Sequence, residues 1–348
     1  MLQSSYFKSA FVGIVGMALS SAVAAPVLAE VDGPEVNWRI ALHGKPRAAT
    51  QHLERMKVYL EEETNGKFTL TLGYGTFGDA KEFLDLLKIG SVQGAMIVAP
   101  YTPARLPLYN VMSLPFLPMS SADIQRKVYD VLHADPRIQA EFNAWGAFPL
   151  MGNFVPAYEL MGVGDQPTSL DALKGKRARV AGAQGKALEN IGVVPTSLPA
   201  PEIYNAFERG LVDLVALPHY AHVSYKSYEV GDWVTTNLSL GTIGFPTVIN
   251  NDAWAKLPEQ YKELMHLAVE EGYTAMYKAH AESDTADFAA YKKRGITLVE
   301  LGESELAQFR DAAGQPVWDQ WVKDREAEGL AGREMLELLV ATARDAAK

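Results

Sequence analysis

The chain has 348 residues, of which 48% are hydrophobic and 21% are charged; this is ordinary globular usage, and the length is enough for two domains. Thirty-two basic residues against 42 acidic ones give a net charge of −10, which argues against a nucleic-acid partner, because such partners require a surplus of Lys and Arg. The sequence contains no cysteine, so disulfides, thiolate metal sites and cysteine nucleophiles are excluded.

Residues 1–29 have the pattern of a secretory signal peptide. Lys8 provides a positive flank, and the uncharged stretch Ala10–Leu19 follows it. Small residues then form two cleavage patterns, which end at Ala24 and at Ala29. A membrane anchor is the alternative, but it requires about 20 apolar residues and this stretch is shorter. We therefore expect export, cleavage after Ala24 or Ala29, and location in a bacterial periplasm, because secreted eukaryotic proteins of this size usually carry disulfides.

Strands and helices alternate in the segment after the signal peptide. Alternating apolar residues predict strands, and apolar residues three and four positions apart predict helices. The elements are a strand over 36–42, a helix over 48–64, a strand over 67–74, a helix over 79–89 and a short buried strand over 94–98. This order predicts parallel strands with helices on the faces of the sheet.

The same alternation returns in a second set that begins near Tyr158. It consists of a strand over 177–180, a helix over 184–191, a strand over 194–198, a helix over 201–210 and a strand over 214–218. The chain is therefore predicted to be an α/β protein with two sheets, each flanked by helices.

A long uninterrupted helical pattern covers residues 258–293. Its interior contains no proline and one glycine, Gly272, while Pro258 and Gly295 fit the first helical position and a C-terminal cap. A helix of this length would span about 54 Å, which exceeds a single domain of this size. It either breaks near Gly272 or runs across both halves of the protein, and we favour the continuous helix.

Two motifs that resemble chemical sites have simpler structural explanations. Gly73–Gly78 matches the G-x-G-x-x-G dinucleotide fingerprint, but the segment 94–103 lacks the acid that would hold a ribose, so a glycine-rich turn is the better interpretation. His219 and His222 have a spacing that allows two metal ligands on one helical turn, yet no third ligand lies nearby. We expect no cofactor and no metal, and packing or ligand contact for the two histidines.

Two arginines are the strongest candidates for ligand binding. Arg177 and Arg179 are two positions apart in a predicted strand, so their side chains project to the same side. A guanidinium at the mouth of a sheet suits a carboxylate, because its planar fork donates two parallel hydrogen bonds. The alternative is that they are ordinary surface residues.

Several segments together resemble one family of binding proteins. They are Thr64–Lys67, Leu114–Phe116, Leu173–Arg179, Glu202–Asp213 and Asn250–Pro258. In this order and spacing they resemble the solute-binding proteins of tripartite ATP-independent periplasmic (TRAP) transporters, the DctP-like family, over nearly the whole mature chain.

The resemblance implies a periplasmic-binding-protein-like fold with two α/β lobes, a long helix that bridges both, and a ligand enclosed between them. We assign 30–157, with part of 243–285, to lobe I, and 158–242, with 286–348, to lobe II. It further implies that Arg179 binds the carboxylate of an organic anion, and that the partners are a small and a large integral membrane subunit of the transporter. The protein would then be a binding protein and not an enzyme.

The sequence also departs from the family pattern. The segment 152–159 lacks the second Arg that many members place there, and Leu217 stands where an Asn is often found. The dicarboxylate or sialic-acid specificity of relatives is therefore not carried over. Aromatic and neutral hydrogen-bonding residues are expected to line the cleft instead: His43, Tyr74, Tyr101, Tyr158, His219 and Tyr220. This set favours a monocarboxylate with an apolar or aromatic body.

Two other classes of function stay open at this point. The chain is also compatible with a binding protein of another importer or of a receptor, although the long bridging helix counts against this. A periplasmic enzyme would need a nucleophile, base or metal constellation, and the sequence contains no G-x-S-x-G, H-E-x-x-H or P-loop motif.

Overall fold

The structure, a computed structural model, describes residues 31–348, so the predicted signal peptide and its cleavage sites lie outside the described residues. Within this range, none of the helices combines the length and the apolar character that crossing a bilayer requires.

Residues 31–348 contain eleven strands that form two sheets. The strands are β1 (Val36–Leu42), β2 (Phe68–Tyr74), β3 (Gly94–Met96), β4 (Ala147–Gly152), β5 (Glu159–Gly162), β6 (Arg177–Arg179), β7 (Val194–Thr196), β8 (Leu214–Leu217), β9 (Trp233–Thr235), β10 (Pro246–Asn250) and β11 (Thr297–Val299).

The same range contains twelve α-helices, joined in places by short 3-10 turns. They are α1 (Gln51–Glu63), α2 (Phe83–Lys88), α3 (Ala122–Ala134), α4 (Pro136–Asn143), α5 (Ala183–Glu189), α6 (Ile203–Glu208), α7 (His219–Ser224), α8 (Asn251–Ala255), α9 (Glu259–Arg294), α10 (Glu303–Ala313), α11 (Gln315–Ala327) and α12 (Gly332–Ala346).

The strand order confirms the predicted parallel cores of both sheets. The first sheet has the order β2-β1-β3-β10-β4, in which β1 is parallel to β2 and β3. The second has the order β11-β9-β5-β8-β6-β7, in which β6 is parallel to β7 and β8. Each sheet also receives antiparallel strands, β10 beside β3 and β5 beside β8, which the sequence patterns did not predict.

Helices cover both faces of the first sheet. Successive side chains of a strand point to opposite faces, so neighbouring residues of β1 pack against different helices. Ile40 of β1 belongs to an apolar cluster with Leu53 of α1 and Leu264 of α9. The next residue, Ala41, belongs to a different cluster with Val128 of α3 and Leu339 of α12. All six side chains are buried, which explains why β1 ends in the continuous apolar run 40–42 that is typical of a central parallel strand.

The predicted long helix is continuous. It covers the 36 residues of α9, and Pro258 precedes its first residue instead of occupying it. Gly272 does not break the helix; a Cβ there would lie 3.2 Å from Met56 of α1, so the glycine allows α1 and α9 to approach closely. Gly295 ends the helix in the left-handed region, at φ 79°. Near its C-terminal end, Tyr291 donates a hydrogen bond to the carbonyl of His219 in α7. The helix therefore contacts elements of both sheets.

The C-terminal helices depart from the expected division into lobes. We expected 286–348 to pack with the second sheet, and α10 does so, since Glu305 accepts a hydrogen bond from the backbone of Leu170. The last two helices pack instead with the first sheet: Val317 of α11 and Met335 of α12 belong to the apolar cluster that contains α3. The assignment of the tail to lobe II is corrected accordingly, and the remaining lobe boundaries stay a prediction.

Candidate functional site

A cavity lies where the ends of the strands of the two sheets meet. Its empty volume is about 400 Å³ including the mouth. Apolar side chains such as Val98, Val155 and Ile243 form part of its wall. The charged and hydrogen-bonding groups of the wall are two arginines, one histidine and four tyrosines: His43, Arg47, Tyr101, Tyr158, Arg179, Tyr220 and Tyr225.

The fold explains why these residues meet. His43 follows β1, Tyr101 ends a short helix after β3, Arg179 ends β6, and Tyr220 comes shortly after β8. These four strands are parallel within their sheets, so their carboxyl ends lie at one edge of each sheet. Open α/β sheets bind ligands at this edge. The structure thus brings together five of the seven residues expected at the site: Arg179, His43, Tyr101, Tyr158 and Tyr220.

Arg179 is buried, with 1% of its surface exposed. Its Nε and Nη2 donate to the carbonyl of Leu198 at 2.9 and 2.7 Å, and its Nη1 donates to the carbonyl of Ala216 at 3.3 Å. Nη2 also donates to the hydroxyl of Tyr101 at 3.2 Å. Within the described range it forms no ion pair with an acid. One Nη1 hydrogen remains free. We expected two parallel N–H groups of Arg179 to bind both carboxylate oxygens, and that pair is not available in this arrangement.

Tyr101 supplies the second donor beside Arg179. Its hydroxyl oxygen accepts hydrogen bonds from Arg179 Nη2 and from the backbone N–H of Ala200 at 2.9 Å. A phenol has one hydrogen of its own, and here that hydrogen has no protein acceptor among the described residues. The Tyr101 O–H and the free Nη1 hydrogen of Arg179 together form a pair of donors that matches the two oxygens of a carboxylate.

Arg47 is a second buried cation in the cavity, and sequence reasoning missed it. It is 7% exposed and lies in the loop after β1. Nη1 donates to the carbonyls of His43 and Lys45, both at 2.9 Å. The guanidinium faces the ring of Tyr225 at 5.5 Å and, like Arg179, pairs with no acid of residues 31–348. Its position just past the carboxyl end of a parallel strand was the available signal.

His43 is neutral, and its hydrogen bond fixes the tautomer. Nη2 of Arg47 lies 3.0 Å from His43 Nε2, and a guanidinium only donates, so Nε2 accepts and the ring hydrogen is on Nδ1. Burial, reinforced by the charges of Arg47 and Arg179, holds the pKa of His43 well below its usual value of 6.5. His43 Nδ1 is buried and has no hydrogen-bond partner.

Three tyrosines of the cavity, Tyr158, Tyr220 and Tyr225, are also neutral. Burial raises the pKa of Tyr158 and of Tyr220 well above the usual value of 10.0. Arg47 lies close enough to Tyr220 to oppose that rise. The hydroxyl of Tyr225 is buried without a partner, and this residue was not predicted at the site.

Two residues expected in the cleft lie elsewhere. The Nδ1 of His219 is 3.3 Å from the hydroxyl of Tyr291, and its ring packs against Phe288, so the side chain points to α9. Tyr74 donates a hydrogen bond to Glu54 of α1. Neither lines the cavity, because a residue next to a strand end projects to the sheet edge or to the flanking helix depending on its rotamer, which the sequence pattern does not reveal.

The other motifs have structural roles. Arg177 is exposed and forms an ion pair with Asp213, at 2.6 Å between Nη2 and Oδ1. His222 is buried between the hydroxyl of Ser227 and the backbone carbonyl of Glu159. Gly73–Gly78 forms the turn after β2, with Gly75 and Gly78 at positive φ. No grouping of three or more potential metal ligands occurs among residues 31–348.

Comparison with known proteins gives the family. The model of the bacterial extracellular solute-binding proteins, family 7 (DctP), matches residues 43–324. A monocarboxylate 2-oxoacid-binding periplasmic protein of Nostoc sp. is 25% identical over 319 residues, which cover 83% of this chain and 84% of that protein.

Solved structures show the same fold. A TRAP solute-binding protein from a marine metagenome, specific for aromatic acid ligands and in complex with 3-hydroxybenzoate, has a TM-score of 0.82 at 20% identity and covers 91% of this chain and all (100%) of its own. A TRAP solute-binding protein from Rhodoferax ferrireducens in complex with copurified benzoate has a TM-score of 0.79 at 21% identity, with 90% and 98% coverage. Because the family model matches most of the chain, this protein belongs to the bacterial extracellular solute-binding proteins of family 7, which confirms the resemblance seen in its motifs.

Proposed function

We propose that the protein is the periplasmic solute-binding subunit of a TRAP transporter and that it captures an organic acid whose carboxylate accepts hydrogen bonds from both Arg179 and Tyr101. The observation that carries the proposal is a buried guanidinium without an acidic partner, with an unused Nη1 hydrogen beside an unused phenol hydrogen. A buried charge is costly unless it is paired, and a carboxylate that leaves water needs donors that replace its hydration.

The body of the ligand is aromatic or apolar. Tyr158, Tyr220 and Phe245 provide rings in the wall of the cavity, and Leu217 adds an aliphatic surface. The relatives that bind 3-hydroxybenzoate, benzoate and 2-oxoacids support a small acid of this kind.

The cavity supports binding without chemical conversion. A general base works best with a pKa near the ambient pH, and His43 has a pKa far below that range. The partners of the protein are then the small and large integral membrane subunits, to which the captured anion is delivered. Export through a cleaved signal peptide, after Ala24 or Ala29, places the protein in the periplasm.

The test is the affinity for benzoate, measured by calorimetric titration. Removal of one partner from a buried charge pair typically costs about 2–5 kcal/mol, or roughly 30-fold to several-thousand-fold in affinity. We expect Arg179→Ala to lose binding to this extent and Arg179→Lys to lose much of it. Arg177→Ala is the matched control, because that guanidinium is exposed and two residues away.

Two results would overturn the proposal. One is an Arg179→Ala variant that folds, by circular dichroism, and binds benzoate as tightly as the wild-type protein. The other is conversion of benzoate into a product during incubation with the purified protein. Mass spectrometry of small molecules released on denaturation identifies the natural ligand and should find an organic acid.

A further inference from the structure

We propose that the cavity contains a second oxyanion-binding subsite, formed by Arg47 and His43, so that the preferred ligand is a ring-bodied acid with a carboxylate at each end. This inference rests on the proposed function, because the first carboxylate is the one assigned to Arg179 and Tyr101. It goes further in giving the ligand a second charge and in naming the residues that bind it.

The charge of the cavity is the first argument. Arg47 and Arg179 are 7% and 1% exposed, and both line the same cavity. Neither pairs with an acid in the described part of the chain, and the residues that line the cavity include no Asp or Glu. A single carboxylate at Arg179 would leave the charge of Arg47 uncompensated, whereas a dianion would balance both.

The unused donors of Arg47 and His43 are the second argument. Of its five N–H groups, two on Nη1 bond to the carbonyls of His43 and Lys45, and one on Nη2 bonds to His43 Nε2. Of the other two hydrogens, one is within reach of the hydroxyl of Tyr220, which accepts a hydrogen bond from Arg47, and one is left for another acceptor. The Nδ1–H of His43, which is buried and without a partner, adds a neutral donor from the same loop. These donors suit a carboxylate oxygen.

The position of the subsite is the third argument. Arg47 and Tyr225 line the cavity and also border an outer groove, which contains Lys45 and Lys226. The subsite is therefore at the solvent side of the cavity. A ligand that extends from Arg179 toward this side presents its far end to Arg47, where a charged group is better placed than an apolar one.

A purely structural role for Arg47 explains only part of its environment. The two bonds from Nη1 to loop carbonyls hold the segment 43–47 in shape, and they need no further donors. The role of a loop clamp does not account for the remaining unused hydrogen of Arg47, for the partnerless His43 Nδ1 or for the absence of an acid from the lining of the cavity.

The test compares four acids on the mature protein: benzoate, phthalate, isophthalate and terephthalate. We expect at least one of the three dicarboxylates to bind the wild-type protein about tenfold or more tightly than benzoate. In Arg47→Gln this gain should fall below about threefold, while the affinity for benzoate changes much less. Arg55→Gln is the matched control, because Arg55 lies near in sequence but pairs with Glu271 outside the cavity.

The outcomes separate this inference from the proposed function. If benzoate binds with dependence on Arg179 but no dicarboxylate gains affinity, or if the gain survives in Arg47→Gln, the second subsite is refuted and the proposed function stands. If none of the four acids binds the wild-type protein, both proposals fail. If Arg47→Gln does not fold, Arg47→Met replaces it: this variant keeps the length of the side chain but lacks both the charge and the donors, and an undiminished gain there refutes the subsite.

Discussion

The hydroxyl of Tyr101 accepts a hydrogen bond from Nη2 of Arg179, although Tyr101 follows a strand of the first sheet and Arg179 ends a strand of the second. The same hydroxyl also accepts from the backbone of Ala200, near the second sheet. One side chain of the first half of the chain therefore holds two groups of the other half in place at the edge of the cavity. Together with the carbonyls of Leu198 and Ala216, this hydroxyl orients the Arg179 guanidinium.

Replacement of Tyr101 tests the contact. Tyr101→Phe keeps the ring but removes an acceptor from Arg179 and the donor assigned to the carboxylate. Hydrogen bonds to charged groups contribute about 1.5–3 kcal/mol, so we expect an affinity for benzoate that is roughly 10- to 150-fold weaker in calorimetric titration. Tyr204→Phe is the control, because its hydroxyl bonds to Glu208 on the surface. Equal affinity in Tyr101→Phe and Tyr204→Phe would contradict the role of Tyr101.

A glycine next to β6 has a conformation that other residues avoid. Gly182 has φ 61° and ψ −148°, and a Cβ there would lie 3.0 Å from the Cβ of Pro100. Gly182→Ala should lower the free energy of unfolding by about 1–3 kcal/mol, measured by urea denaturation. Gly175→Ala separates the effect of positive φ from the effect of the contact with Pro100. Gly175 also has positive φ, but the space around its Cβ position is open. The loss in Gly182→Ala should be the larger of the two, and the reverse order would argue against a close approach to Pro100.

The buried histidines predict how stability depends on pH. Burial holds the pKa of six described histidines below 6.5: well below for His43, about 3 for His52, His133 and His222, and about 4 for His219 and His280. They stay neutral in the folded protein, whereas the unfolded chain takes up protons below pH 6.5. Their contribution to stability is therefore lost as the pH falls below that value.

Three buried carboxyls act in the opposite direction. Burial raises the pKa of Glu141 to about 7 and that of Asp287 to about 6, and it raises the pKa of Glu159. The stability that these carboxyls contribute is lost as the pH rises through these values. The six histidines outnumber the three acids, so the effect of the histidines is the larger. The free energy of unfolding should therefore rise between about pH 5 and pH 6.5, by about 1.4 kcal/mol per pH unit for each net proton. A flat or falling profile in urea denaturation would contradict the burial of these rings.

Ligand binding is expected to bring the two sheets closer together. A ligand bound by both Arg179 and Tyr101 contacts residues from both sheets, so it stabilises the arrangement in which the two sheets are near each other. Small-angle scattering should give a smaller radius of gyration with saturating benzoate than without it. Arg179→Ala at the same concentration of benzoate is the control and should keep the larger radius. An identical radius for the free and bound wild-type protein would exclude such a movement.

Local patterns in the sequence predicted the parallel strands well. β1 has the bounds that the apolar pattern indicates, and β2 begins one residue later than expected. The helix expected over 79–89 begins only at Phe83, because Asp79 accepts a hydrogen bond from the backbone of Lys81 and stabilises a turn. β10 was not predicted, since it pairs with β3 about 150 residues earlier and its neighbour is set by the whole fold.

The site was predicted where it depends on strand ends and missed where it depends on loops. Arg179 and Tyr101 follow directly from the order of the strands and from the resemblance to the family. Arg47 enters the cavity because its own bonds to His43 and Lys45 fold the loop inward, which no periodicity in the sequence reveals. His219 points away because Tyr291, 72 residues later, provides a hydrogen-bond partner for its ring.

The unbroken helix α9 limits how the protein can deform. Its 36 residues form a rod of about 54 Å that packs against α1 along one part and reaches α7 near its end. A rod of fixed length keeps its two ends at a constant separation while the elements attached to it rotate. Any opening of the cavity is then a change of angle and not a stretching of the molecule. Spectroscopic labels placed at the two ends of α9 would serve as an internal ruler, against which a distance change across the mouth can be calibrated in the same sample.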